Sequence, residues 1–137
     1  MKIKIFSATI EQLEAVQNWV LEQLQEEELS SEMESLLLIC IEEVFVNIAS
    51  YAYPDSEGMA EVGLELSNHR LTLCFRDGGI PYNPLEKEDP DLEEDLMDRR
   101  IGGLGIFMVK NMMDQLEYTY TEGKNCLKMY KNLKGDL

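Results

Sequence analysis

The stretch "MESLLLICIEEVFVNIASYAY", Met33 to Tyr53, constrains this chain more than any other. Ser31 and Glu34 stand at capping-box spacing just before it and Pro54 follows, so the pattern predicts a helix that stops before the proline. Leu37, Ile41, Val44, Phe45 and Ile48 spread over much of its circumference, while positions 36, 40, 43 and 47 share one side. A helix apolar almost all round belongs inside a layered domain. It nevertheless carries a carboxylate, Glu43, and one turn later an amide, Asn47. An unpaired buried carboxylate costs several kcal/mol, whereas a Glu and an Asn one turn apart offer each other only about 0.2–0.5 kcal/mol. Three readings stay open: Glu43 reaches solvent, meets a cation from another element, or lines a cavity that holds water, metal and a polar ligand.

The flanking segments supply the other layer. "MKIKIF" alternates as a strand, and a helix is predicted from about Ile10 to Glu27, with Thr9 and Gln12 as its capping box. "AEVGLELS" and "RLTLCFR" flank Asn68 and His69 as a hairpin, which puts the only histidine in a turn, where it is a solvated loop residue. From Asn83 to Asp98 the chain holds eight acids, one lysine and two prolines with no apolar face, and reads as a long loop or lid. "GIFMVKNMMD" returns to helical spacing, and "LEYTYTEG" and "NCLKMYKNL" are two strands joined through Glu122, Gly123 and Lys124. Strand, helix, helix, two strands, loop, helix, two strands is the order of an α+β domain. We expect a two-layer α/β sandwich, a mostly antiparallel sheet with helices on one face, formed by residues 1–137 as a single domain.

Composition narrows the function classes. With 12 Lys and Arg against 27 Asp and Glu, the formal charge of -15 repels a phosphate backbone, so nucleic acid is not an expected partner. An apolar content of 45% supplies a core, which an acidic disordered tail would lack. The N-terminal stretch has no continuous apolar signal region, and no later apolar run is expected to reach membrane-spanning length, so a cytoplasmic protein without membrane contact is expected. Cys40, Cys74 and Cys126 are odd in number and widely spaced in apolar segments, which fits reduced core thiols better than disulfides or a zinc site.

Two further motifs bear on Glu43 and Asn47. "CFRDGGIPYNP" sets Asp77, Gly78 and Gly79 at a strand end, an ordinary turn signal that also gives backbone room beside a carboxylate acceptor. "RRIGGLGIFMVKNMMD" sets Gly102, Gly103 and Gly105 at a helix start, where unpaired amides favour phosphate; a hinge closing the acidic loop is the other reading. There is no Gly-Lys-Ser/Thr and no third glycine at dinucleotide-fold spacing, so neither a Walker A loop nor a Rossmann turn is present.

Glu-x-x-x-Asn on a helix, Asp-x-Gly-x-Pro after a strand and Gly-x-Gly opening a helix, in that order, resemble the GHKL (Bergerat-fold) ATPases. Within them the chain looks like the small anti-sigma-factor serine kinases of bacterial stress and sporulation switches. The resemblance implies that Asn47 binds Mg²⁺, that Glu43 is the general base that deprotonates a serine hydroxyl or water, and that Asp77 reads the adenine amino group of ATP, with Gly79 letting the base approach. It implies that Gly102, Gly103 and Gly105 line the phosphates, with Leu104 and Ile106 nearby. The implied partners are a sigma factor, a STAS-type anti-sigma-factor antagonist phosphorylated on serine, and a second copy in a homodimer.

The chain departs from the family pattern at three places. Tyr51 replaces a frequent histidine; Ile101 replaces an arginine, so Arg100 either reaches a phosphate across a one-residue shift or faces solvent; and Lys124-Asn125 replace a Gly-Thr near the last strand, so the threonine's contact to the adenine region is missing or replaced. The alternative function is a non-catalytic anti-sigma or adaptor module, responsive to nucleotide or free of it. The ATP-binding half of a histidine kinase fits less well, because no phosphoacceptor helix pair accompanies His69.

Overall fold

The computed structural model describes residues 1–86 and 104–134. Its five strands are β1 (Lys2–Ser7), β2 (Met59–Ser67), β3 (Arg70–Asp77), β4 (Gln115–Thr121) and β5 (Lys124–Asn132), and its helices are α1 (Leu13–Gln23), α2 (Ser31–Asn47) and α3 (Leu104–Met112). The strands form one sheet in the order β1-β2-β3-β5-β4, and every pairing is antiparallel. Both hairpins turn on two residues of positive φ, Asn68-His69 and Glu122-Gly123, a backbone that matches strand twist. Lys124 is therefore the first residue of β5 and not part of the turn.

Period-two alternation decides which face is covered. Val62, Leu64, Leu73, Phe75, Leu127 and Met129 are buried on one face beneath Val16 and Val20 of α1, Leu37, Ile41, Val44 and Phe45 of α2, and Val109 of α3. Phe6 of β1 joins this core and meets Trp19 edge to face at 6.4 Å. Ile3 and Ile5, which alternate with it, are more than half exposed on the opposite face. The α+β two-layer expectation holds, with the three α-helices of the described residues on one side of the sheet.

Local boundaries differ from expectation for identifiable reasons. The first helix breaks into a 3₁₀ turn (Ile10–Gln12), α1, and a second 3₁₀ turn (Gln25–Glu27). Thr9 makes no side-chain cap; its carbonyl accepts from the Gln12 amide at 3.0 Å, which a tight turn satisfies without the hydroxyl. At α2 the cap is Ser30, whose Oγ accepts from the Met33 amide at 3.1 Å, one residue earlier than the Ser31–Glu34 box. Met33 at the third helical position offers no carboxylate in return. His69 does not stand alone in its turn, since its Nδ1 lies 2.9 Å from Glu27 Oε1.

Past Asn47, α2 runs on as a π turn (Ile48–Ala52) before Pro54. Counted with that turn, Ser31–Ala52 is long and apolar enough to cross a bilayer by length and composition, contrary to expectation. Its buried side chains are instead part of the core between sheet and helices. The π turn widens the helix at its last turn, a distortion frequent at functional sites.

Candidate nucleotide site

The C-terminal end of α2 and its π turn face the ends of β3 and β5 and the start of α3 across a cavity of about 530 Å³. A small-molecule site typically occupies roughly 300–1,000 Å³. Glu43, Asn47, Asp77, Gly105 and Ile106 all line it, so three motifs far apart in sequence meet at one place. Glu43 is half-buried at the wall of this cavity, and no ion pair among the described residues includes it. Burial first, and then the charge of adjacent Glu42, push its carboxyl above the usual range.

Gly105 explains how α3 approaches so closely. A Cβ at this position would collide with Glu43 Oε2, so only glycine lets the helix start lie against that carboxylate. Gly105→Ala should leave thermal stability near that of the parent, because the obstacle is the end of a flexible side chain and alanine favours the helix. With Glu43 as the general base that the family resemblance implies, its displacement should slow phosphoryl transfer by about 10²-fold, the scale of a one-ångström misplacement, in a single-turnover assay.

At the cavity floor Asp77 is buried at 6% exposure and closes β3. Its Oδ1 accepts from the Gly79 amide at 3.0 Å and from Asn125 Nδ2 at 3.0 Å, bonds that do not use Oδ2. A fixed carboxylate whose other oxygen makes no hydrogen bond among the described residues, at the base of an apolar pocket, suits an amino group on a flat ring. Gly79 does not itself line the cavity. A Cβ there would collide with the Ala52 carbonyl, and the missing side chain lets that carbonyl accept from the Ile80 amide at 3.0 Å, which ties the post-β3 loop to the π turn.

Asn125 is the site residue that sequence patterns alone left without a role. Its Nδ2 also donates to the Ile80 carbonyl at 2.9 Å, and its Oδ1 accepts from the Tyr82 amide at 3.0 Å and from the Tyr118 hydroxyl. Every hydrogen-bonding position of the amide is used, and it is buried at 7% exposure. Its signal was the alternation of β5, which puts Asn125 in line with Leu127 and Met129, a polar side chain in an inward series. Asn125 thus holds Asp77 in position from the start of β5.

Among the described residues no group of three or more His, Cys, Asp or Glu side chains could hold a metal ion. Asn47 at the cavity wall offers a single amide oxygen, which suits Mg²⁺ in its usual nucleotide-linked form, with phosphate oxygens and water as its other ligands. Arg100, Gly102, Gly103 and the acidic segment beyond Glu86 lie outside the described residues, as does the side chain of Leu104. The described start of that segment is a 3₁₀ turn, Pro84–Glu86, with Pro84 against the cavity.

A one-layer antiparallel sheet backed by helices, with a carboxylate floor and a glycine at a helix start facing a helix-borne Glu and Asn, defines an ATP-binding domain of the GHKL class. The sequence matches the histidine kinase-like ATPase domain over residues 6–131, and the chain belongs to that family. It is 28% identical over 99 residues to the serine/threonine-protein kinase BtrW of Bordetella bronchiseptica, a match covering 72% of this chain and 70% of that protein. It is 27% identical over 93 residues to the serine-protein kinases RsbW of Bacillus thuringiensis and Bacillus anthracis, covering 65% of this chain and 58% of each.

Proposed function

We propose that this chain is an ATP-dependent protein serine kinase of the anti-sigma type. The observation that carries the reading is the convergence of Glu43, Asn47, Asp77 and Gly105 on one cavity. Asp77 Oδ2 accepts from the adenine amino group, and the start of α3 directs its free amides at the phosphates. Asn47 holds Mg²⁺, which screens phosphate charge when bound. Glu43 accepts the proton of a serine hydroxyl presented by a partner protein; a carboxyl raised by burial is a better base near neutral pH than an ordinary one.

The serine belongs to a STAS-type antagonist, and the protein held inactive is a sigma factor. Support comes from the resemblance of the motifs and from relatives named as serine-protein kinases. A cytoplasmic location and a homodimer belong to the same reading. The acidic surface complements a basic sigma-factor surface.

Calorimetric titration with ATP and with GTP, with Mg²⁺ and then with chelator, tests the pocket. Micromolar binding selective for adenine and strengthened by Mg²⁺ is expected. Asp77→Asn presents an amide donor as readily as an acceptor to that amino group and should weaken ATP at least tenfold while narrowing the preference over GTP. Equal affinity for both nucleotides in the parent protein would refute the assignment of Asp77.

A further inference from the structure

The outer face of the sheet, away from the helices, carries a second constellation. Cys74 of β3 and Cys126 of β5 lie on it with their Sγ atoms 2.8 Å apart, hydrogen-bonded and both free. Register makes them diagonal neighbours, because Cys74 stands opposite Lys128 and Arg76 opposite Cys126. They border a cavity of about 270 Å³, large enough for a small oxidant. In a chain with far more acids than bases, Arg76, Lys124 and Lys128 gather around this cavity. Arg76 pairs with Glu61 at 3.5 Å, yet its buried Nε–H has no acceptor among the described residues.

We propose that Cys74 and Cys126 form a peroxide-reactive pair that closes reversibly into a disulfide between β3 and β5. Cys126 is the attacking sulfur: it is the less buried of the two. The hydrogen bond from Cys74 and the nearby Arg76 and Lys128 lower its thiol to about 7, whereas Cys74, which holds the shared proton in a more buried place, is raised. The Cys126 thiolate attacks one oxygen of a hydroperoxide, an S–O bond forms, the O–O bond breaks, and the leaving oxygen departs as an alcohol or water after taking a proton. Cys74 sulfur then attacks the sulfenic sulfur; the S–S bond forms, the S–O bond breaks, and hydroxide leaves with the Cys74 proton as water. Two thiols lose two electrons in all, and the peroxide gains them.

Position favours a switch over a permanent staple. Diagonal neighbours across a strand pair have Cα atoms roughly 7–8 Å apart, whereas disulfides prefer about 5.5–6 Å, so closing the bond draws the strands together and leaves it easily reduced. Cys126 is adjacent in sequence to Asn125, and β3 ends at Asp77, so the same two strands carry the floor of the nucleotide cavity. Cys40 lies on the helical side, where burial pushes its thiol up to about 11, and it takes no part.

Treating the full folded chain with hydrogen peroxide, then alkylating free thiols and mapping peptides by mass spectrometry, tests the pair. The expected product has lost two hydrogens, links Cys74 to Cys126 within one chain, leaves Cys40 alkylated, and reverts with dithiothreitol. Cys74→Ser should stop at a dimedone-reactive sulfenic acid on Cys126, and Cys126→Ser should slow peroxide consumption at least about tenfold. A link between chains, sulfinic acid on Cys126 of the parent protein without a link, or reaction only after denaturation would each overturn the proposal. None of these readouts depends on nucleotide binding, so failure here and failure of the kinase reading are separate results.

Discussion

Glu43→Gln is expected to retain ATP binding and to lower phosphoryl transfer by about 10²–10⁴-fold, the range a positioned general base contributes. Glutamine keeps the shape of the side chain that packs under Gly105 but cannot take a proton. The same substitution should raise stability near neutral pH. Burial holds the folded-state carboxyl above its unfolded value, so between those two values the folded state binds more protons and stability falls as pH rises. Glutamine removes that penalty, and its advantage should disappear in acid, where Glu43 is protonated in both states. Transfer by the parent enzyme should decline as pH falls through the raised value. Single-turnover assays with a cognate antagonist and urea titrations at neutral and acidic pH measure the two effects. Full transfer by the glutamine variant would remove Glu43 from the mechanism and leave its burial without a chemical reason.

Such an opposition between stability and activity is expected where a carboxylate is kept in an apolar wall for its chemistry. It also shows why this part of the site was legible in sequence. Glu43 and Asn47 are out of place on an apolar helix, and that discord can be seen without knowing what faces them. Local periodicity likewise sufficed for the five strands, the hairpin at Asn68-His69 and the helix that carries the site. What escaped were features decided across space. The capping residues shifted because a backbone carbonyl served Gln12 and because Ser30 reached Met33 first. The closeness of Gly105 to Glu43 needs the packing of α3 on α2, and the meeting of Cys74 with Cys126 needs the β3–β5 register. Three scattered cysteines read as inert core thiols, yet only Cys40 sits on the helical side. Asn125 looked like no more than the first residue of a strand, because nothing in its neighbours announces Asp77, Ile80, Tyr82 and Tyr118 converging on it.

That convergence gives Asn125→Asp the largest expected cost in stability. The aspartate can still accept from the Tyr82 amide and the Tyr118 hydroxyl, but an oxygen replaces the NH₂ that donates to Asp77 Oδ1 and to the Ile80 carbonyl. Two carboxylates then face each other at hydrogen-bonding distance in a buried place, where one ionised and unpaired group costs about 3–5 kcal/mol. For a chain of 137 residues this corresponds to a melting midpoint lowered by roughly 10–20 °C near neutral pH. A single proton shared by the pair restores a donor, so the folded variant holds that proton to a higher pH than the unfolded chain does. The deficit relative to the parent should therefore be smallest below the ordinary Asp value of about 3.9 and should grow as pH rises through the folded-state value. Nucleotide should suffer with it, because the repulsion turns Asp77 away from the direction in which Asn125 and Gly79 hold it. A variant equally destabilised in acid and at neutral pH would mean that lost packing, and not charge, explains the effect, and that Asn125 fills space beside Asp77 without orienting it.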